Sequence, residues 1–253
     1  MRFCSFLIGS LIVLFPGTLC AQDPSELFSK GNQLYQQGKY AEAREVYLPL
    51  LKNGYESGEL YYNLGNTDYK MGLIAEAILS YERGMRLLPN DEDLQHNLQL
   101  ANLLTADRIE PAPILFIWDY WDGLKGMFSG PGILWVTNGM LYLFAAMGLL
   151  VVLARSYALR KTAVIAAAIA GILFLFSLVV CIARVSDLSR DDQAIVMGEI
   201  VTIKNSPDAA SSDAFVLHSG VKVRITDRVS SWVKIKLADG KVGWMEEKIL
   251  EII

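Results

Sequence analysis

Two stretches without a charged residue or a histidine, Gly132–Ala154 and Thr162–Ala183, constrain this chain more than any other feature. They are 23 and 22 residues long. At about 1.5 Å rise per residue, a helix of that length crosses a hydrocarbon core of about 30 Å. A soluble protein can hide such helices only inside a large core, and the rest of the 253 residues is too small to supply one. The seven residues between them, Arg155–Lys161, include Arg155, Arg160 and Lys161. Short loops rich in Lys and Arg stay in the cytoplasm. The pattern therefore predicts a two-helix transmembrane hairpin with both flanking segments outside.

The N-terminus supports the same topology independently. Arg2 precedes an apolar run, Phe3–Phe15, followed by Pro16-Gly17 and small residues up to Ala21. That order is expected of a secretory signal peptide over residues 1–21, cleaved after Cys20 or Ala21, because the run is too short to span. Leu19 fits poorly before an acylated cysteine. The spans themselves offer Thr137, Asn138 and Ser177 as polar residues and no charged residue or histidine, whereas ion and proton pathways normally carry one. Ala163, Ala167 and Gly171 recur at four-residue spacing, which suits close helix packing. An anchor is expected, and a small channel or transporter subunit is the disfavoured alternative.

Between leader and spans the sequence repeats with a period of 34. Gly31, Asn32, Tyr35, Gly38, Ala41, Glu42, Ala43 and Tyr47 recur as Gly65, Asn66, Tyr69, Gly72, Ala75, Glu76, Ala77 and Tyr81. A repeat of that length built of small residues, tyrosines and a closing Pro89 resembles the tetratricopeptide repeat (TPR), a helical pair that stacks on its neighbours. Residues 22–110 divide into repeats 24–57 and 58–91 and a capping helix 92–106, in which Asn97-Leu98 echoes Asn63-Leu64. Gly and Ala are expected where helices approach closely, with Tyr47 and Tyr81 filling the gap between neighbouring repeats. The resemblance implies a concave peptide-binding groove formed by Phe28, Asn32, Tyr35, Tyr62, Asn66 and Tyr69. Amides and tyrosines there can hold an extended peptide; the alternative is that they follow repeat consensus and serve packing.

Residues 111–131 carry Ile114–Asp122, dense in Trp and Tyr, and read as an interfacial linker on the outer membrane surface. A polar linker is expected over 184–191. After it, apolar and polar residues alternate in Ala194–Val196, Glu199–Ile203, Lys222–Ile225 and Trp232–Leu237, with turn signals at Ser219-Gly220 and Asp239-Gly240. About five short strands in a small β-barrel are predicted for residues 192–253. Ser206-Pro207, Phe215–Leu217, Gly220, Trp232, Ala238–Gly240 and Gly243-Trp244 resemble a bacterial SH3 domain in their order. Relatives of that kind often bind cell-wall peptides or proteins.

The net charge of −4 is spread as −6 over Gln22–Glu110 and −1 over Arg184–Ile253. No basic stripe for nucleic acid is present. Cys4, Cys20 and Cys181 lie in the leader or an apolar run, and His96 and His218 are the sole histidines. No metal-ligand spacing, phosphate-cradling loop or nucleophile–base constellation occurs, so neither catalysis nor a cofactor is expected. Asn90–Asp93 lacks the Gly and distal Glu of a calcium loop and suits a helix N-cap. The whole mature order (TPR repeats, two spans, SH3-like domain) resembles the repeat-containing membrane proteins of the Bat (aerotolerance) operons of Bacteroides-type bacteria. That resemblance implies the inner membrane, soluble parts facing the periplasm, and a scaffold or adaptor role in envelope homeostasis or stress tolerance. It implies partners bearing von Willebrand factor A domains and a MoxR-type AAA ATPase. A cell-wall sensor that binds peptidoglycan through the SH3-like domain is the open alternative.

Overall fold

The computed structural model describes residues 23–110, 116–189 and 191–253. The expected signal peptide and the start of the aromatic linker, residues 111–115, lie outside them. Five helices come first: α1 (Pro24–Gln36), α2 (Tyr40–Lys52), α3 (Gly58–Lys70), α4 (Ile74–Leu87) and α5 (Glu92–Asn102). Local chemistry sets their ends. Asp23, Ser57 and Asp91 accept from backbone N–H groups of the first turns of α1, α3 and α5, which satisfies donors a helix start leaves open. Gly38 and Gly72 take φ of 75° and 78° in the turns after α1 and α3, a conformation that favours glycine. The capping helix ends at Asn102, four residues before its expected end.

Helices α1/α2 and α3/α4 form hairpins, and α5 packs on α4. Each of the Tyr47 and Tyr81 rings lies against a glycine of its own hairpin, Gly31 and Gly65 respectively, and shares a buried cluster with the helices that follow, Tyr47 with Leu60 and Leu64 and Tyr81 with Leu94 and Ala101. A Cβ on Gly65 would stand 2.5 Å from the Tyr81 ring, so the glycine is what allows the helices to enclose a tyrosine that is only 1% exposed.

Helix α6 (Phe116–Gly126) leads to α7 (Gly130–Leu153) and α8 (Tyr157–Leu188). These last two are long and apolar enough to cross a membrane. In the most apolar window of α7 no residue is buried. The expected boundaries shift. Ser156 caps α8 through the Leu159 N–H, so Arg160 and Lys161 sit on helix and the connection shortens to three residues, 154–156. At its other end α8 runs on through Leu188, because nothing in Arg184–Leu188 breaks a helix. The hairpin closes through Ala163, Ala170, Ser177 and Val180, with the Phe144 and Phe174 rings stacked 6.5 Å apart.

The C-terminal part is a seven-stranded antiparallel sheet: β1 (Gln193–Val196), β2 (Ile200–Lys204), β3 (Asp213–His218), β4 (Lys222–Val229), β5 (Trp232–Lys236), β6 (Val242–Glu246) and β7 (Leu250–Ile252). Its order is β3-β2-β6-β5-β4-β1-β7. No ladder joins β3 to β7 among the described residues, so the sheet is open where a closed barrel was expected. Seven strands form where about five were expected, and β3, β6 and β7 lie outside the four alternating runs read from the sequence. One face buries Val201, Ile203, Leu217, Val223, Val233, Ile235 and Met245. Trp232 and Trp244 are half-buried and lie outside that cluster.

The sheet is not a free module. Ile195 and Ile253 bury against Ala77, Ile78, Leu79, Tyr81, Leu94 and Ala101 of the helical stack. Around this apolar joint, Lys222 pairs with Glu82 at 2.7 Å, Arg83 donates to the Ile252 carbonyl, and Arg86 donates to that of Ile253. Asp107 accepts from the His218 backbone N–H at 2.7 Å and lies 3.1 Å from its Nδ1. Gly220, at φ 90°, brings the β3–β4 turn so close that a Cβ would meet Thr105 at 2.9 Å and Ile78 at 3.2 Å.

Candidate functional site

The 34-residue period produces a hydrogen-bond ladder along the inner face of the stack. Tyr47 Oη and Asn63 Nδ2 both donate to Asn32 Oδ1, at 2.7 and 2.9 Å. One repeat later, Tyr81 Oη and Asn97 Nδ2 both donate to Asn66 Oδ1, each at 2.8 Å. Each asparagine thus ties the buried tyrosine of its own hairpin to the first helix of the next. The carbonyl oxygens of Asn32 and Asn66 are committed to the fold. Burial pushes the Tyr47 hydroxyl up to about 12 and raises that of Tyr81 as well, so both remain protonated donors over the physiological range.

The six residues expected to form the groove separate into two sets. Tyr35, Tyr62, Asn66 and Tyr69 line one cavity of about 280 Å³, together with Lys70, Tyr81, Asn97 and Leu100. Phe28 does not reach it: its ring packs on Tyr47 at 6.2 Å in the first hairpin. Asn32 is likewise absent from the lining. Tyr35 leans on Tyr40, with centroids 5.3 Å apart, and burial raises its hydroxyl pKa.

Asn66 Nδ2 has no partner among the described residues. With Lys70 and three tyrosine hydroxyls, the cavity presents several donors beside broad aromatic faces. Such a surface suits the carbonyls of an extended chain. Lys70 and Leu100 carried no sequence signal, since neither has a counterpart in the matched positions. Asn97 did, through its spacing of 34 from Asn63.

Next to the ladder, Arg44 Nε donates to Asp68 Oδ1 at 2.6 Å, and Asp68 is 1% exposed. Burial outweighs the guanidinium and raises the Asp68 carboxyl to about 6. On the sheet, Lys234 Nζ lies 5.9 Å over the Trp244 ring, a solvent-facing cation–π contact.

Residues 200–251 match the Bacterial SH3 domain family model. No curated protein matches this chain at a significant level. Among solved structures, the chain is similar to PcrH from Pseudomonas aeruginosa at 19% identity, covering 64% of this chain and 99% of that one, with a TM-score of 0.33. It is also similar to PcrH in complex with the chaperone binding region of PopD, at 17% identity, 64% and 98% coverage, and a TM-score of 0.32. The strands from Ile200 to Glu251 therefore carry a bacterial SH3 domain behind an N-terminal helical region and two apolar helices.

Proposed function

We propose that this chain is a non-enzymatic, membrane-anchored adaptor that holds an extended segment of a partner protein in the groove of Tyr35, Tyr62, Asn66 and Tyr69. The observation that carries this reading is the convergence of those four side chains on one cavity, with the Asn66 amide donors unpaired in it. The stack is read as TPR-type, and α7 and α8 as a transmembrane hairpin whose charged turn faces the cytoplasm. The SH3 domain, read as a small barrel, braces the stack from outside its groove. Resemblance to the Bat-type proteins favours the bacterial inner membrane, with both soluble parts in the periplasm. By the same resemblance the partners are membrane proteins with von Willebrand factor A domains and a MoxR-type AAA ATPase system, and the role is envelope homeostasis or stress tolerance.

The test is affinity purification from gently solubilised membranes. Tyr62→Ala with Tyr69→Ala should lose the main partner, since truncating a central contact commonly costs about 2 kcal/mol, roughly thirtyfold in affinity. Asn66 is a poor choice for this purpose, because its carbonyl ties Tyr81 to Asn97. Deleting the sheet is a poor control, because it would uncover Ile78 and Leu94. Lys234→Ala with Trp244→Ala, on the sheet and outside the groove lining, is the informative counterpart. Partner retained by the tyrosine variant but lost from the sheet variant would overturn the groove reading. The second reading, a cell-wall sensor, is favoured by the family match at 200–251, because domains of that family often bind peptidoglycan. Retention of the full chain on purified wall, abolished by the sheet variant, would establish it.

A further inference from the structure

A second cavity, of about 390 Å³, lies where the stack, the apolar hairpin and the sheet meet. Four cations from four elements surround it: Arg86 of α4, Lys125 of α6, Arg184 of α8 and Arg224 of β4. Asp122, Asp187 and Asp192 share the lining. Lys125 takes up two of these carboxylates, at 2.8 Å from Asp122 and 2.5 Å from Asp187, and Arg224 stands 3.9 Å from Asp192. Arg86 donates to the backbone carbonyls of Ile253 and Leu188. Arg184 is different. Its Nη2 donates to the Arg86 carbonyl at 3.4 Å, while its Nε is buried and has no hydrogen-bond partner among the described residues. A guanidinium is permanently charged, and a buried donor left unsatisfied is a standing destabilisation unless an acceptor arrives.

The place of the cavity says what kind of acceptor can reach it. Arg184 directly follows Ala183, where the uncharged run ends. Beside it, Trp121 and Leu124 of α6 pack on Ile133, Val180 and Cys181 of the hairpin. The same helix turns Phe116, Ile117, Trp118 and Tyr120 outward, and such side chains favour the headgroup layer. We propose that this cavity is a phosphate-binding site filled by the headgroup of an anionic membrane lipid, with the Arg184 guanidinium as its principal donor and Arg224 as its second. Arg forks match phosphate oxygens in geometry, and such bidentate pairs are strong. The assignment rests on the membrane reading proposed above.

The test uses the full chain in a neutral detergent, with thermal unfolding followed during three titrations. These are phosphatidylglycerol, diacylglycerol with the same acyl chains, and inorganic phosphate against chloride at constant ionic strength. Phosphatidylglycerol should raise Tm saturably and diacylglycerol should not. Arg184→Gln should shift half-saturation upward by at least about tenfold, the loss of one charged hydrogen bond. Arg224→Gln should weaken the response in the same direction, and carries the comparison if the first variant does not fold. A response to inorganic phosphate with the same dependence on Arg184, and none to phosphatidylglycerol, would support the phosphate chemistry and remove the lipid as its source. Equal responses from the parent chain and both variants would overturn the site. Release of the chain from membranes by a carbonate wash would sink the membrane reading separately, with the phosphate titration still deciding the cavity.

Discussion

Substituting Asp68 by Asn should flatten the pH dependence of stability and leave the neutral protein no less stable. The carboxyl is 1% exposed and is raised from 3.8 to about 6, because burial outweighs the hydrogen bond and the charge of Arg44. A folded pKa above the unfolded one means that the native state holds a proton which the unfolded chain has released. Its stabilising contribution is complete below the unfolded value and is lost as pH rises through the folded one. Two units correspond to about 3 kcal/mol, lost from this one group between about pH 4 and pH 7. Asn cannot titrate, yet its carbonyl can still accept from Arg44 Nε, now 2.6 Å from Asp68 Oδ1. Denaturant unfolding of both proteins in one detergent at several pH values isolates the effect, since all other groups are shared. The difference, parent minus variant, should fall by about 3 kcal/mol over that range. A difference that is flat, or that rises with pH, would refute the reasoning: the short Arg44 contact would then outweigh desolvation and the charged pair would be the stable form.

Two further outcomes follow from packing and topology. Gly65→Ala should destabilise the chain by about 1–3 kcal/mol despite the better helix propensity of Ala, because its Cβ meets the Tyr81 ring. Gly123→Ala, with no atom of the described residues within 4 Å of the new carbon, should not; equal unfolding midpoints for the two would remove the close-approach argument. Reporters fused after Glu110 and after Ile253 should be active only outside the cytoplasm, and one at Ser156 only inside. Cytoplasmic activity of the C-terminal fusion would exclude a two-span hairpin.

The elements were legible because their signals are local. A period of 34 placed the paired helices, uncharged runs marked the two long apolar ones, and alternation around Gly220 and Gly240 marked the sheet. Even the asparagine ladder was present as the recurrences Asn32/Asn66 and Asn63/Asn97. What the ladder does was not legible. Only the fold shows that the Asn32 and Asn66 carbonyls are used by Tyr47, Asn63, Tyr81 and Asn97, that Phe28 and Asn32 fall outside the groove cavity, and that Lys70 and Leu100 enter it. The same holds for buried Asp68 and its partner Arg44, and for the joint of Ile195 and Ile253 with α4 and α5. Residues such as Glu82 and Lys222 stand 140 positions apart. Helix and strand periodicity arises from backbone geometry within a few residues. Which apolar face covers which, and which buried charge finds a partner, depends on shape and charge complementarity between surfaces that only the complete fold brings together.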